Sequence, residues 1–153
     1  MDKFGLITNN KAKISNYAID GLIFGLASGI AMILSMAIIT LLLGESPAAL
    51  LERFSAGELT SPLQGLLSHL AVSAIYGMLF GALIWPVLRH FASSQFLVWL
   101  GGMGYGALLL FLAQVAILPG TTSTLAQLPF WEWALGHGIY GLVLGGLFTR
   151  KAI

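Results

Sequence analysis

Two histidines, His69 and His137, stand inside long apolar runs of a chain with few charges and no cysteine. Each lies about seven residues in from the same end of its run, roughly 10 Å deep at 1.5 Å per residue. Ser73 follows His69 by one helical turn. Gln114, counted from the other end of its own run, reaches a similar depth, and Thr40, with Ser35, approaches it from the first run. Each apolar run thus offers a polar group to one layer. Ionisable residues at such depth normally face the bundle interior and mark candidate sites.

Three chemistries are open to this layer. His69, Ser73, Gln114 and His137 can hydrogen-bond across helices or to backbone carbonyls, each bond adding about 0.6 kcal/mol of structural stability. The two imidazoles can bracket a b-type haem or hold a transition metal, although no carboxylate stands beside them to orient the rings. The same residues can form a proton or solute relay with Glu132 at its mouth. Tyr76 and Tyr140, seven and three residues after His69 and His137, share their helical faces. Their phenols would extend such a chain, or pack over glycines and bond backbone carbonyls.

The elements that position these groups follow from composition. Hydrophobic residues make up 58% of the 153 and charged residues 8%, against about 45–50% and 25% in soluble domains. The sequence predicts an all-α fold, an integral membrane four-helix bundle. Residues 1–20 form a polar N-terminal segment without a strong helical stripe. Spans cover about 21–43, 63–88, 96–118 and 130–148, each long enough to cross a hydrocarbon core of about 30 Å. A short tail, 149–153, follows. Trp85-Pro86 marks the far end of the second span, and Pro119-Gly120 stops the third. The longest connection, 44–62, reads as a surface loop with a turn or two of helix. Ser46-Pro47 would start it, Leu50, Leu51 and Phe54 would form its apolar side, and Gly57 would end it.

A repeat organises the spans. Ser73-Ala-Ile-Tyr-Gly-Met-Leu-Phe-Gly-Ala-Leu83 returns sixty-four positions later as His137-Gly-Ile-Tyr-Gly-Leu-Val-Leu-Gly-Gly-Leu147. In this register Ser73 matches His137, and His69 matches Trp133. Gly77 and Gly81 recur as Gly141 and Gly145. Spans one and three carry glycines every fourth residue instead, Gly21, Gly25 and Gly29 in the first, Gly102 and Gly106 in the third. Such ridges let helices approach closely, within the bundle or across an oligomer contact. Two helical hairpins of like orientation imply a pseudo-two-fold axis along the membrane normal.

Lys3, Lys11, Lys13, Arg89, Arg150 and Lys151 fall on one side of the four spans and only Arg53 on the other. Positive residues mark the cytoplasmic side, so both termini are expected there and the protein in the cytoplasmic membrane. A net charge of +1 without a basic stripe gives no footprint for nucleic acid. The absence of cysteine excludes disulfides and thiolate sites. No zinc-protease helix, nucleophile elbow or phosphate loop occurs, and Gly102-Met-Gly-Tyr-Gly-Ala lies inside an apolar span, outside a dinucleotide-binding context.

With His69 and Tyr76-Gly77 in one helix and His137 and Tyr140-Gly141 in another, the chain resembles a group of uncharacterised, small four-span membrane proteins of bacteria and archaea, over residues 18–150. That resemblance implies the four-span topology and no activity. The leading expectation is a non-catalytic membrane component packing with itself or with partner membrane subunits in the lipid bilayer. A small channel or transporter acting as an oligomer, and a haem- or metal-binding redox subunit using His69 and His137, are the alternatives.

Overall fold

The computed structural model describes residues 3–55, 60–91, 94–120 and 124–151, with side chains from residue 13 onward. Gly57, expected to end a short helix, lies outside them. Among the described residues the fold is helical and contains no strand. Helix α1 is Lys3–Leu42, α2 Pro47–Arg53, α3 Pro62–Leu79, α4 Trp85–Phe91, α5 Gln95–Leu112 and α6 Phe130–Thr149. Among the described residues three stretches are long and apolar enough to cross a membrane: Lys13–Leu42, Pro62–Phe91 and Gln95–Ile117. These apolar helices, with large side chains such as Leu34, Ile38, Leu67, Ile75 and Phe111 exposed on their outer faces, are those of a membrane protein. The fourth expected segment forms α6, which is not among these three. Ten of its twenty residues are buried, against 28–33% of the membrane-length windows. Its polar residues are tolerated because α5 and α1 cover them.

Helix α1 begins far ahead of residue 21, continuing the apolar rod through the polar segment. It ends on Gly44, whose φ of 80° closes the turn while the Glu45 amide bonds Thr40 O at 2.9 Å. Pro86 does not end the second rod. Proline lacks an N–H and its ring crowds the carbonyl four residues earlier. Here a π-helical turn, Phe80–Ile84, widens the helix so that the Trp85 amide bonds Phe80 O, and α4 runs on to Phe91. A second π turn, Ala113–Ile117, continues α5 up to Leu118-Pro119-Gly120.

Glycines set the packing. Helices α1 and α3 run antiparallel in close contact, as do α5 and α6. Gly21 lies against Gly77 O and Gly81 Cα, and Gly102 against Gly141 O and Gly145 Cα. Gly25 lies against Ser73 O and Gly77 Cα, and Gly106 against His137 O and Gly141 Cα. Gly81 meets Tyr17 O, and Gly145 meets Val98 O. Both pairs therefore use one seam. First-helix residues advance by one constant step, from Tyr17, Gly21 and Gly25 to Val98, Gly102 and Gly106. Second-helix residues advance by the sixty-four positions of the sequence repeat.

Helix α6 also packs along α1. Gly136 makes room there for two methionines, since a Cβ on it would lie 2.9 Å from Met32 Cε and 3.0 Å from Met36 Sδ. Helices α3 and α5 are not packed backbone to backbone, and a hydrogen bond from Tyr105 Oη to Tyr76 O, 2.8 Å, bridges them. By the same steps, Val72 stands where α6 has Gly136, and Ala113 and Ile117 stand where α1 has Met32 and Met36. Val72, Ala113 and Ile117 line a gap that stays open.

The bundle end that carries Arg89 is filled. Phe148 touches Phe24, Phe80 and Trp85 with ring centroids 5.0–5.1 Å apart, and Phe80, Leu144 and Phe148 are wholly buried. Outside this plug Arg89 bonds Tyr17 Oη and Lys151 pairs with Asp20 at 3.1 Å. At the other end α2 folds inward. Ser46 caps it, accepting from the Ala48 amide at 3.2 Å, and Leu50 is buried. Gly65 admits the Leu51 carbonyl against α3.

Candidate functional site

A cavity of about 280 Å³ occupies the α2 half of the bundle. Its walls come from α3 (His69, Ser73, Tyr76), α6 (Trp133, His137, Tyr140), Met32 of α1 and Leu109 and Ala113 at the end of α5. Several lining positions are matched by the repeat: His69 with Trp133, Ser73 with His137, Tyr76 with Tyr140, Met32 with Ala113. Equivalent turns of α3 and α6 thus face one space. Phe54, following α2, closes the top with its ring 5.0 Å from that of His69, together with Leu118 and Leu125. The cavity does not reach the aromatic plug, because Phe80, Leu144 and Phe148 lie beyond its lining.

Each histidine is anchored to a backbone carbonyl. His69 Nε2 donates to Gly29 O across the α1–α3 seam at 3.0 Å, where the glycine ridge leaves that carbonyl uncovered. His137 Nδ1 donates to Trp133 O, one turn earlier on α6, at 2.9 Å. A carbonyl only accepts, so in the neutral rings these nitrogens carry the proton, and His69 Nδ1 and His137 Nε2 keep a lone pair. Tyr140 Oη donates to Ser73 O at 2.7 Å and ties α6 to α3 across the cavity floor. Such a bond between helices adds about 0.6 kcal/mol of stability.

Of the residues singled out in the sequence, His69, Ser73, Tyr76, His137 and Tyr140 meet at this cavity. Gln114 does not line it and sits half-buried in the second π turn. Thr40 is buried but bonds Met36 O on its own helix at 2.9 Å, and Ser35 likewise bonds Met32 O at 2.7 Å. Helix α1 therefore contributes a backbone carbonyl to the layer, and no hydroxyl. Glu132 is buried in the first turn of α6, where the helix dipole favours a carboxylate, and does not line the cavity.

Trp133, Met32 and Phe54 also line the cavity and were not among the sequence candidates for the polar layer. Trp133 was legible, since it occupies the position equivalent to His69; Phe54 was legible as part of the apolar side of the short helix but not as a cavity wall, because that depends on α2 folding inward. The Trp133 indole nitrogen, like that of Trp85, is fully enclosed without a hydrogen-bond partner among the described residues. The second nitrogen of each imidazole is not enclosed in this way. Among the described residues no three His, Cys, Asp or Glu side chains gather to hold a metal, so a metal here would rest on two imidazoles. No family model matches the chain, and neither a curated protein nor a solved structure does.

Proposed function

We propose that this is a four-span protein of the cytoplasmic membrane, with α6 as the fourth span and both termini cytoplasmic. Its fold is two copies of one hairpin, and it binds a small lipid-soluble molecule without chemically changing it. The observation that carries the binding reading is the cavity itself, a largely apolar space with a few placed polar groups at the junction of both hairpins. Ligand sites are of this kind. The corresponding glycine contacts of the α1–α3 and α5–α6 seams support the duplication, and the polar residues of α6, Glu132 and His137, lie on its buried face. The grouping of six basic residues at the end away from α2 supports the orientation.

The aromatic plug favours a binding site over a conduit through one chain, because a path along the bundle axis would have to cross Phe80, Leu144 and Phe148, all at 0% exposure. Native mass spectrometry of the protein released from mild detergent, beside Val72→Trp, tests the reading. Val72 lines the cavity and is 45% exposed, so a tryptophan can fill the space without disturbing the seams. A bound neutral species in the wild type, depleted in a folded Val72→Trp, is expected. Identical spectra would overturn the binding reading.

A further inference from the structure

The lining of the cavity narrows what it can hold. It contains no Asp, Glu, Lys or Arg. An ion entering it would lose its hydration with no countercharge to meet, so the occupant is neutral. Phe54, Tyr76, Trp133 and Tyr140 bring four aromatic rings to the walls beside the two imidazoles, surfaces that receive a flat ring better than a branched aliphatic one. The unprotonated nitrogens, His69 Nδ1 and His137 Nε2, accept and do not donate. They select a ligand that carries O–H or N–H groups.

The mouth tells where the ligand comes from. Two lining residues are exposed, Val72 on α3 at 45% and Ile117 on the second π turn at 46%. Both are apolar, and both belong to membrane-length helices. The opening thus lies between α3 and the end of α5, where the hairpins are not packed together, and its rim is apolar. A molecule entering there arrives from the lipid phase and leaves any alkyl tail in it.

We infer that the cavity binds the hydroxylated aromatic head of an alkyl-tailed, lipid-soluble ring, the quinol class, with its O–H groups donating to His69 Nδ1 and His137 Nε2. This rests on the binding reading above and adds the chemistry of the ligand. Binding alone is inferred, with no electron transfer.

The test titrates the protein in lipid nanodiscs with decyl hydroquinone and with its dimethyl ether, following tryptophan fluorescence. The ether has the same ring and tail but no donor. The hydroquinone should bind about tenfold more tightly than the ether, as one to two donated hydrogen bonds allow. His69→Leu and His137→Leu should erase that preference, and His69→Gln and His137→Gln, whose side-chain carbonyl still accepts, should retain part of it. Equal affinity of ether and hydroquinone overturns the donor-based selection and leaves the cavity reading intact. If neither ring saturates the protein while a neutral species still leaves with Val72→Trp, the quinol class is wrong and the binding site stands. If no species is bound and neither ring saturates, both readings fail together.

Discussion

Gly25→Ala probes the packing that positions the site. A Cβ at Gly25 would lie 2.5 Å from Ser73 O, 2.7 Å from Gly77 Cα and 2.9 Å from Gly77 N. Ordinary Cβ contacts begin at 3.4 Å, so α1 and α3 must part by about 0.9 Å. All three neighbours are backbone atoms, and no side-chain rotation relieves the clash. Overpacking of this kind costs about 1–3 kcal/mol. Alanine returns about 1 kcal/mol through its helix preference, so Gly25→Ala should lose about 0–2 kcal/mol net and about 1–3 kcal/mol relative to a control free of the clash. Gly104→Ala is the control, because a Cβ there meets nothing within 4 Å. It carries the same helix-preference gain without the clash, so the difference between the variants isolates the packing cost. Gly106→Ala, at the equivalent place in the α5–α6 seam, should behave like Gly25→Ala. Unfolding in mixed micelles, followed by circular dichroism, reads all three. If Gly25→Ala and Gly104→Ala agree within about 0.5 kcal/mol, backbone contact through the glycine seam is not what holds the hairpin.

The absence of cysteine makes single-cysteine labelling direct. Ser15→Cys and Lys151→Cys should react with an impermeant maleimide only after the cells are opened, while Ala48→Cys and Gln127→Cys should react in intact spheroplasts. The reverse pattern would invert the orientation, and Gln127 reacting with the Ser15 group would remove α6 as a span. Tyr140→Phe leaves Ser73 O without its 2.7 Å donor and Tyr105→Phe frees Tyr76 O. Each should lower stability by about 0.6 kcal/mol and at most about 1.7 in the same micelle assay, and a larger loss would point to a role beyond the bond.

The seams were legible in the sequence because glycine at every fourth position leaves a physical trace, a helix face with no side chains. Both ridges proved to lie against the Tyr-Gly-x-x-x-Gly helices. Composition likewise pointed to apolar helices. Pro86 lies inside the second rod, near its end as expected, and the rod runs on to Phe91 behind a π turn in which the Trp85 amide bonds Phe80 O. The polar layer was legible only in its histidines. Serine and threonine at membrane depth can bond the carbonyl one turn back on their own helix, and Thr40 and Ser35 do so; spacing alone does not separate that from a bond across the bundle. The cavity could not be read at all, since it arises from the difference between Gly136 and Val72 at one matched position.

That difference has a consequence for recognition. A site between two identical hairpins would present the same groups to both ends of a ligand and accept it either way round. Here one imidazole sits where the other half places an indole, and the second sits where the other half places a serine. The donors of a bound molecule therefore meet unlike surroundings on its two sides. With the exposed lining residues among those described, Val72 and Ile117, on one flank, a near-symmetric scaffold would be able to tell one end of a nearly symmetric ligand from the other.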